Sequence, residues 1–164
     1  MNRQRGFTLI ELIIVIGMVG IMMAAAIPQF IDWRVRVHYN QAAQGVAAAL
    51  RDARSKALSR NVQHRVEFDM ANRQYRVTQG SRAINSPDAD FTTVVQDWTV
   101  LSREVILRGA ADCSIDTTLN ITFSANGTGT QNNICIMNTA SPPQGKYRVG
   151  VQSATTGRVE VVKL

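Results

Sequence analysis

A carboxylate near the N-terminus is the most informative chemical group in this sequence. Glu11 lies inside an otherwise apolar run, residues 7–27, in which Thr8 is the only other clearly polar side chain. A charged side chain deep in a membrane costs about 2.5 to 3.5 kcal/mol on insertion scales, so an acid here indicates a function and a partner. As an α-helix, the run of about 21 residues would be about 32 Å long, close to the roughly 30 Å hydrocarbon core of a bilayer. The run therefore predicts a transmembrane helix segment.

Two arginines before this run predict its orientation. Arg3 and Arg5 would stay in the cytoplasm by the positive-inside rule, which sends the following domain outward. A cleaved secretory signal is the alternative, because the three alanines at residues 24–26 could serve a signal peptidase. The length of the run and the presence of Glu11 count against that alternative.

Residues 6–11, with the sequence GFTLIE, resemble the processing site of type IV prepilins. The resemblance implies that a prepilin peptidase cuts between Gly6 and Phe7, removes a leader peptide of residues 1–6, and methylates the new amino group of Phe7. Glu11 would then be the fifth residue of the mature chain. The implied partners are this peptidase, other major and minor pilins, and an inner-membrane assembly platform. The implied location is the inner membrane, as a single-pass protein with a periplasmic C-terminal domain, and then the pilus at the cell surface.

The new amino terminus would give the Glu11 carboxylate a partner. An ammonium on Phe7 would also be costly in lipid, so pairing the two charges relieves both. Within one chain, Glu11 would lie in the first turn and complement the helix dipole. Between chains, as the resemblance implies, Glu11 of one subunit would meet the Phe7 amine of a neighbour and set the axial register. Both arrangements stay open, and they differ in whether replacing Glu11 by Ala blocks assembly or only weakens the helix end.

The helix is expected to continue beyond the apolar run, from residue 7 to about residue 59. Pro28 cannot donate a helical hydrogen bond, so a kink or local unwinding is predicted there. Residues 28–60 form an amphipathic half, with apolar residues at intervals of three and four. The apolar face comprises Ala43, Val46, Ala47, Leu50, Ala53, Ala57 and Leu58. The small residues available for close packing of the first half are Gly17, Gly20, Ala24, Ala25 and Ala26.

Residues 61–164 are predicted to form one globular β domain. The composition, 45% hydrophobic and 18% charged, excludes an extended disordered chain. An alternation of period two over residues 62–79, with a turn at 70–72, predicts a hairpin, and a polar loop follows at 80–92. Further strands are predicted at 93–100, 103–108, 118–124, 133–138, 146–153 and 158–163. The expected fold class is α+β, with a long N-terminal helix packed on an antiparallel β-sheet.

Three later stretches carry a second resemblance. They are LRDARSKALSRN at residues 50–61, ITFSANGTGT at 121–130 and SATTGRVEV at 153–161. Together they resemble the GspH/FimT family of pseudopilins and minor pilins, including FimU-like minor pilins. The resemblance implies a pilin-like fold and a structural function, that of a minor type IV pilin which joins a pilus filament, or its tip or priming complex, through the N-terminal helix. The alternative it implies is a GspH-like pseudopilin of type II secretion.

The charge distribution bears on a third function, DNA binding for natural transformation. The formal net charge is +6, but Arg3 and Arg5 supply two of these charges and the other arginines are interleaved with polar and acidic residues. Some FimT-like relatives bind DNA through a Gly-Arg-x-Arg stretch, which Gly157 and Arg158 match. Glu160 stands where the second arginine is required and would repel phosphate. Nucleic-acid binding is therefore not expected.

The two cysteines, Cys113 and Cys135, have no neighbouring histidine or third cysteine that would complete a metal site. In an exported domain they are expected to form one disulfide. Closing a loop of this size would stabilise the fold by about 3 kcal/mol. Two unpaired thiols would instead require a reducing compartment.

Catalytic and metal-binding patterns are missing from the sequence. No G-x-S-x-G, H-E-x-x-H, P-loop or C-x-x-C motif is present. His64 fits a half-buried strand position, and His38 is its only histidine companion. Asp88 and Asp90 lie in the polar loop without the further oxygen ligands of a calcium site. We therefore expect no catalysis, no metal and no cofactor.

Overall fold

The computed structural model describes residues 8–82 and 90–164, except the side chains of residues 25–29, 31 and 32. Over these residues the chain forms one helix followed by eight strands. It divides into two compact units, Met1–Arg36 and Val37–Leu164. The predicted leader and the processed Gly6–Phe7 bond lie outside the described residues, as does Asp88.

The helix, α1, begins at Leu9 and ends at Arg60, close to the limits that the sequence predicts. Position 28 lies within this helical span, and a bend at Pro28 stays a prediction because its side chain is not among those described. Within the described residues, no helical segment combines the length and the apolar character needed to cross a membrane.

The strands form two four-stranded antiparallel sheets in the unit Val37–Leu164. They are β1 (His64–Asp69), β2 (Gln74–Gln79), β3 (Thr93–Val100), β4 (Ile106–Gly109), β5 (Thr118–Phe123), β6 (Asn133–Met137), β7 (Gly145–Ser153) and β8 (Arg158–Lys163). The first sheet has the order β3-β2-β1-β5 and the second has the order β4-β6-β7-β8. The predicted α+β class with antiparallel pairing is confirmed. The division into two sheets was not predicted, because strand periodicity carries no information about which strands pair.

The boundary between the two compact units divides α1 into a first part, residues 9–36, and a second part, residues 37–60. The second part packs through the predicted apolar face. Ala43, Val46, Ala47, Leu50, Ala53 and Ala57 are all completely buried. Four of these six residues are alanines, so small side chains make up most of this buried face. Leu58 was also predicted on this face, and that prediction is wrong, because 46% of its surface is exposed. Its side chain instead lies beside the turn at Gly127, where a β-carbon would be 3.2 Å from the Leu58 Cδ2 atom.

The predicted hairpin at residues 62–79 is confirmed as β1 and β2. Phe68 faces Tyr75 across the pair, and their rings lie 6.1 Å apart. The turn between the strands is held by Asp69, whose carboxylate accepts hydrogen bonds from the backbone and side-chain nitrogens of Asn72 at 3.1 and 2.6 Å. The alternation begins at His64, two residues later than predicted, and before it Gln63 is completely buried whereas Val62 is partly exposed.

The strand predicted at residues 103–108 begins later and is shorter. It is observed as β4, and residues 103 and 104 form a turn before it. The backbone N–H of Val105 donates to the carbonyl of Ser102 at 3.1 Å, and this local bond replaces the pairing that a longer strand would make. Val105 is nevertheless completely buried, which explains why its apolar character suggested a strand.

Candidate assembly site

The N-terminal end of α1 is capped by a threonine. The hydroxyl oxygen of Thr8 accepts the backbone N–H of Glu11 at 3.3 Å, and the carbonyl of Thr8 accepts the N–H of Leu12 at 3.3 Å. Since the helix begins at Leu9, Thr8 occupies the N-cap and Glu11 the third helical position. This is the Thr-x-x-Glu arrangement of a capping box, with the threonine half of it formed. The sequence contains this signal at residues 8–11, but the prediction made from it concerned only the acid.

Glu11 lies in the first turn of α1 with its side chain exposed. A carboxylate at this position opposes the positive end of the helix dipole. The four ion pairs found among the described residues do not include it. The acid is therefore presented at the helix end rather than used inside the described part of the chain. Its predicted pairing with the Phe7 amine falls outside the described residues.

Apolar side chains cover the helix surface that follows Glu11. Over residues 9–23, every large apolar side chain exposes between 43% and 76% of its surface. A β-carbon added at Gly17 or Gly20 would meet no atom of the described residues within 4 Å, apart from its chain neighbours and its own helix backbone. Because a helix that is apolar all round is normally covered by protein or lipid, this part of the molecule is built for contacts with something outside the chain.

The three stretches that resemble the GspH/FimT family meet in space within the second unit. The Arg54 Nε atom of α1 lies 3.5 Å from the carbonyl oxygen of Gly127 and donates a hydrogen bond to it. Between the two turns, the N–H of Gly129 donates to the carbonyl of Ala154 at 2.8 Å. We call this meeting point of the helix, the turn after β5 and the turn before β8 the three-segment joint. It links α1 to both sheets, which sequence spacing alone could not indicate.

Gly127 and Gly157 are required at the three-segment joint by backbone geometry. Their φ angles are +83° and +58°, values that side chains of L-residues rarely tolerate. A β-carbon at Gly157 would also lie 2.2 Å from the carbonyl oxygen of Gly127 and 3.1 Å from the Arg54 Nε atom. The φ angle thus explains Gly127, and the φ angle together with close packing against the backbone explains Gly157.

A cleft of about 350 Å³ opens beside the three-segment joint. Its lining consists of Thr122, Ser124, Thr128, Gly129, Thr130, Gln131, Ala154 and Thr155. Several of these polar groups are engaged within the chain: the Thr122 hydroxyl accepts from the Arg65 Nε atom at 3.3 Å, and the Thr128 hydroxyl bonds to Asn126 at 2.7 Å. The lining offers hydroxyl and amide groups but neither an acid nor a base.

The disulfide predicted between Cys113 and Cys135 is present in the structure. Cys135 lies in the centre of β6 and is completely buried, and Cys113 lies in the turn after β4 with a φ angle of +59°. Their Cα atoms are 5.7 Å apart. The bridge therefore fixes an irregular turn to the middle of the second sheet.

The predicted half-buried position of His64 is wrong in degree, because the residue is completely buried at the start of β1. Its Nδ1 atom lies 3.0 Å from the carbonyl oxygen of Val62, whereas its Nε2 atom has no hydrogen-bond partner among the described residues. Burial lowers the pKa of the imidazole, and the positive charges of Arg60 and Lys56 lower it further. Over the described residues, no group of three or more histidine, cysteine or acidic side chains could hold a metal ion.

Arg158 and Glu160 lie on β8, which forms an edge of the second sheet. They are two residues apart on the strand and both are exposed, so they share one face and present opposite charges there. The negative charge of Glu160 therefore lies beside Arg158, the one arginine that matches the DNA-binding stretch.

Comparisons of the sequence with known families identify two regions. A sequence profile described as the prokaryotic N-terminal methylation motif matches residues 1–27, and a profile described as Type II transport protein GspH matches residues 42–157. A fimbrial protein of Pseudomonas aeruginosa is 45% identical over 58 residues, which cover 35% of this chain and 38% of that protein. A type IV major fimbrial protein, FimA of Dichelobacter nodosus, is 52% identical over 46 residues, covering 28% of this chain and 27% of that protein. The chain thus spans well under half the length of these relatives.

Two solved structures share the fold. The type IV minor pilin FimU of Pseudomonas aeruginosa superposes with a TM-score of 0.53 and 15% identity, covering 77% of this chain and 90% of that one. The minor pseudopilin EpsH of the Vibrio cholerae type II secretion system superposes with a TM-score of 0.59 and 13% identity, covering 79% and 98%. The expected resemblance is confirmed at the level of fold by both a pilin and a pseudopilin.

Proposed function

We propose that this chain, which belongs to the family of the Type II transport protein GspH, is a minor pilin of a type IV pilus. It would enter the filament, or its tip or priming complex, through the first part of α1. The observation that carries this proposal is the exposed apolar surface of residues 9–23 with an acid in its first turn. Proteins of this family and fold are pilin-like or pseudopilin-like structural proteins, so the choice of a pilus is the finer part of the proposal.

Processing between Gly6 and Phe7 is the first step of this proposal. The methylation motif at residues 1–27 supports it. The cut would remove residues 1–6 with Arg3 and Arg5, and would leave a methylated, positively charged amine on Phe7. Mass spectrometry of the chain isolated from membranes tests this step. A mature chain that begins at methylated Phe7 is expected, and one that begins at Ile27 would contradict the proposal, because Glu11 would then be lost.

Pairing of Glu11 with the Phe7 amine of a neighbouring subunit is the second step. The Thr8 hydroxyl already accepts the Glu11 backbone N–H, so the helix end does not need the carboxylate as its cap. An exposed acid in an apolar surface would be stabilised by a cation that arrives with another chain, because each charge in lipid would then have an opposite charge beside it. The pair would also fix the axial position of each subunit.

The proposed surroundings follow from the same features. Residues 7–27 would anchor the subunit in the inner membrane as a single-pass protein with its C-terminal domain in the periplasm. Partners would be the prepilin peptidase, other major and minor pilins, and an inner-membrane assembly platform. Gly17 and Gly20 would allow neighbouring helices to approach closely, since their surface is not covered by this chain.

A pseudopilin of type II secretion is the second candidate, favoured by the likeness to EpsH. The disulfide and the SATTGRVEV stretch incline the proposal towards the pilus. A gene deletion scored in parallel for surface pili, protein secretion and DNA uptake separates the candidates. Loss of pili with normal secretion is expected. Loss of secretion with normal pili would assign the chain to the pseudopilus, and loss of DNA uptake alone would assign it to DNA binding.

A further inference from the structure

Two exposed aromatic side chains follow the apolar part of α1. Phe30 and Trp33 each expose 58% of their surface, and their ring centroids lie 5.7 Å apart with a 34° angle between the ring planes. They belong to the unit Met1–Arg36, and neither contributes to the buried core. Such a pair on a helix surface marks a contact with something outside the chain.

Two arginines lie on either side of this aromatic pair. At about 100° per residue, Arg34 is about 40° from Phe30 around the helix, and Arg36 is about 60° beyond Trp33 on the other side. Both arginines are exposed, and neither takes part in the ion pairs found among the described residues. The backbone position of Asp32, the nearest acid, lies about 160° from Phe30 but about 40° from Arg36, one helical turn before it. We call Phe30, Trp33, Arg34 and Arg36 the aromatic–arginine segment.

The position of this segment along the helix matches a membrane interface. With about 1.5 Å per residue, positions 30 and 33 lie roughly 4.5 and 9 Å beyond residue 27, where the apolar run ends. The headgroup layer on each side of a bilayer is roughly 5 to 8 Å thick. The backbone of position 30 therefore lies within it and that of position 33 just beyond its outer limit, from where a side chain that leans towards the helix N-terminus reaches back into the layer. Tryptophan and tyrosine side chains are enriched in this layer, and Trp33 is one of them. The backbones of Arg34 and Arg36 lie only a few ångströms further from the apolar run than that of Trp33, and their long side chains can reach back to the lipid phosphates.

We propose that the aromatic–arginine segment binds anionic phospholipid headgroups at the outer face of the membrane that holds the subunit. The aromatic pair would lie in the headgroup layer, and the two guanidinium groups would bind phosphates with paired hydrogen bonds. The segment would thereby hold the subunit at a fixed depth, with Glu11 at a fixed level, before it joins a filament. This inference rests on the proposed membrane anchor.

Fluorescence of the full-length chain in lipid nanodiscs tests the proposal. The chain contains two tryptophans, Trp33 and Trp98, so Trp98→Phe leaves Trp33 as the reporter and Trp33→Phe leaves Trp98 as the reference. Acrylamide, a neutral quencher in water, measures exposure of each ring. In nanodiscs with about one quarter anionic lipid, we expect acrylamide to quench Trp33 at least about threefold less than Trp98, and headgroup-labelled lipid to quench Trp33 more than lipid labelled at the chain end.

Arg34→Gln with Arg36→Gln supplies the charge test. This pair of changes is expected to raise acrylamide quenching of Trp33 at least about twofold in anionic nanodiscs. Arg51→Gln with Arg158→Gln removes the same charge from two other exposed arginines and should leave Trp33 unchanged. Circular dichroism would verify that each variant stays folded.

The outcomes separate this inference from the proposed function. A chain that fails to enter nanodiscs of any composition contradicts the membrane anchor itself. A chain that enters while Trp33 stays as accessible as Trp98 contradicts only the lipid contact. Protection of Trp33 that appears only at high ratios of protein to lipid would assign the segment to a second copy of the chain and overturn the proposal.

Discussion

The small residues in the two parts of α1 differ in burial: those of the first part lie on an open surface, and those of the second part are buried within the chain. In the first part, a β-carbon at Gly17 or Gly20 would meet no atom of another described segment within 4 Å. In the second part, Ala47 and Ala53 are completely buried. One continuous helix thus presents one surface that its own chain covers and another that must be covered by lipid or by other subunits. Under the proposed function, folding and assembly would therefore depend on separate lengths of the same helix.

Replacement of Glu11 by Ala should have the largest effect, and it should affect assembly alone. We expect the amount of subunit in filaments sheared from the cell surface to fall at least about tenfold, because an unpaired Phe7 amine would be left in an apolar contact. The free energy of unfolding of the β domain should not change. Immunoblots of sheared filaments and of whole cells measure the first effect, and urea denaturation of the chain in detergent micelles measures the second.

Thr8→Ala is the matched control for Glu11. It removes the hydroxyl that accepts the Glu11 N–H at 3.3 Å but keeps the carboxylate, so it weakens the cap by about 1 kcal/mol. If Thr8→Ala reduced assembly as much as Glu11→Ala, the acid would act only through the helix end, and pairing between chains would be excluded as its role.

Truncation of one large apolar side chain in each part of the helix should sharpen the comparison. Leu50→Ala creates a cavity at a completely buried position and should lower the free energy of unfolding by about 3 to 4 kcal/mol. Ile13→Ala truncates a side chain that exposes 59% of its surface and should leave that free energy unchanged while reducing incorporation into filaments. Urea denaturation compares the two variants. A comparable loss of stability in both would show that the first part of the helix is also packed within the chain.

Glycine to alanine substitutions should give effects of opposite sign in the two regions. Gly157 has a φ angle of +58°, and Gly157→Ala would place a β-carbon against the carbonyl oxygen of Gly127. We expect the free energy of unfolding to fall by about 2 to 3 kcal/mol. Gly17→Ala has free space and should increase helix stability by about 0.5 to 1 kcal/mol. Thermal unfolding measures the first, and helical content by circular dichroism measures the second. An unchanged melting temperature in Gly157→Ala would contradict the account of the three-segment joint.

The periodicity of the sequence was sufficient to predict the helix and most strands. The buried face of α1 follows the spacing from Ala43 to Ala57, and β3 has the predicted limits at Thr93 and Val100. Such patterns report which residues leave water together. They fail at Leu58, because a leucine next to the apolar face can also cover a turn from a distant segment.

The parts that could not be predicted depend on contacts between distant segments. The stretches that contain Gly127 and Gly157 were recognised by their resemblance to a family, but nothing in their spacing indicates that both glycines pack against Arg54. The separation into two sheets likewise depends on which strands meet. At the candidate site, the acid at position 11 was recognised from its unfavourable surroundings, whereas the capping role of Thr8 required the helix start to be located first.

Mild acid should produce the smallest effect, and only in the second unit. The folded-state pKa of His64 lies below its usual value of 6.5 because burial penalises the imidazolium. Below about pH 6.5 the unfolded chain therefore binds more protons at this residue than the folded chain does. The contribution of His64 to stability is fully present above that pH and decreases as the pH falls towards the folded-state pKa. Asp69 does not interfere, since its own pKa is lowered from 3.8. We expect the unfolding free energy to fall between pH 7 and pH 5, and this fall to be smaller in His64→Gln than in His38→Gln, which alters the partly exposed histidine. An equal pH dependence in the two variants would rule out His64 as the residue that makes the stability of this unit depend on pH. The first part of α1 contains no histidine, so assembly through it should stay constant over the same pH range.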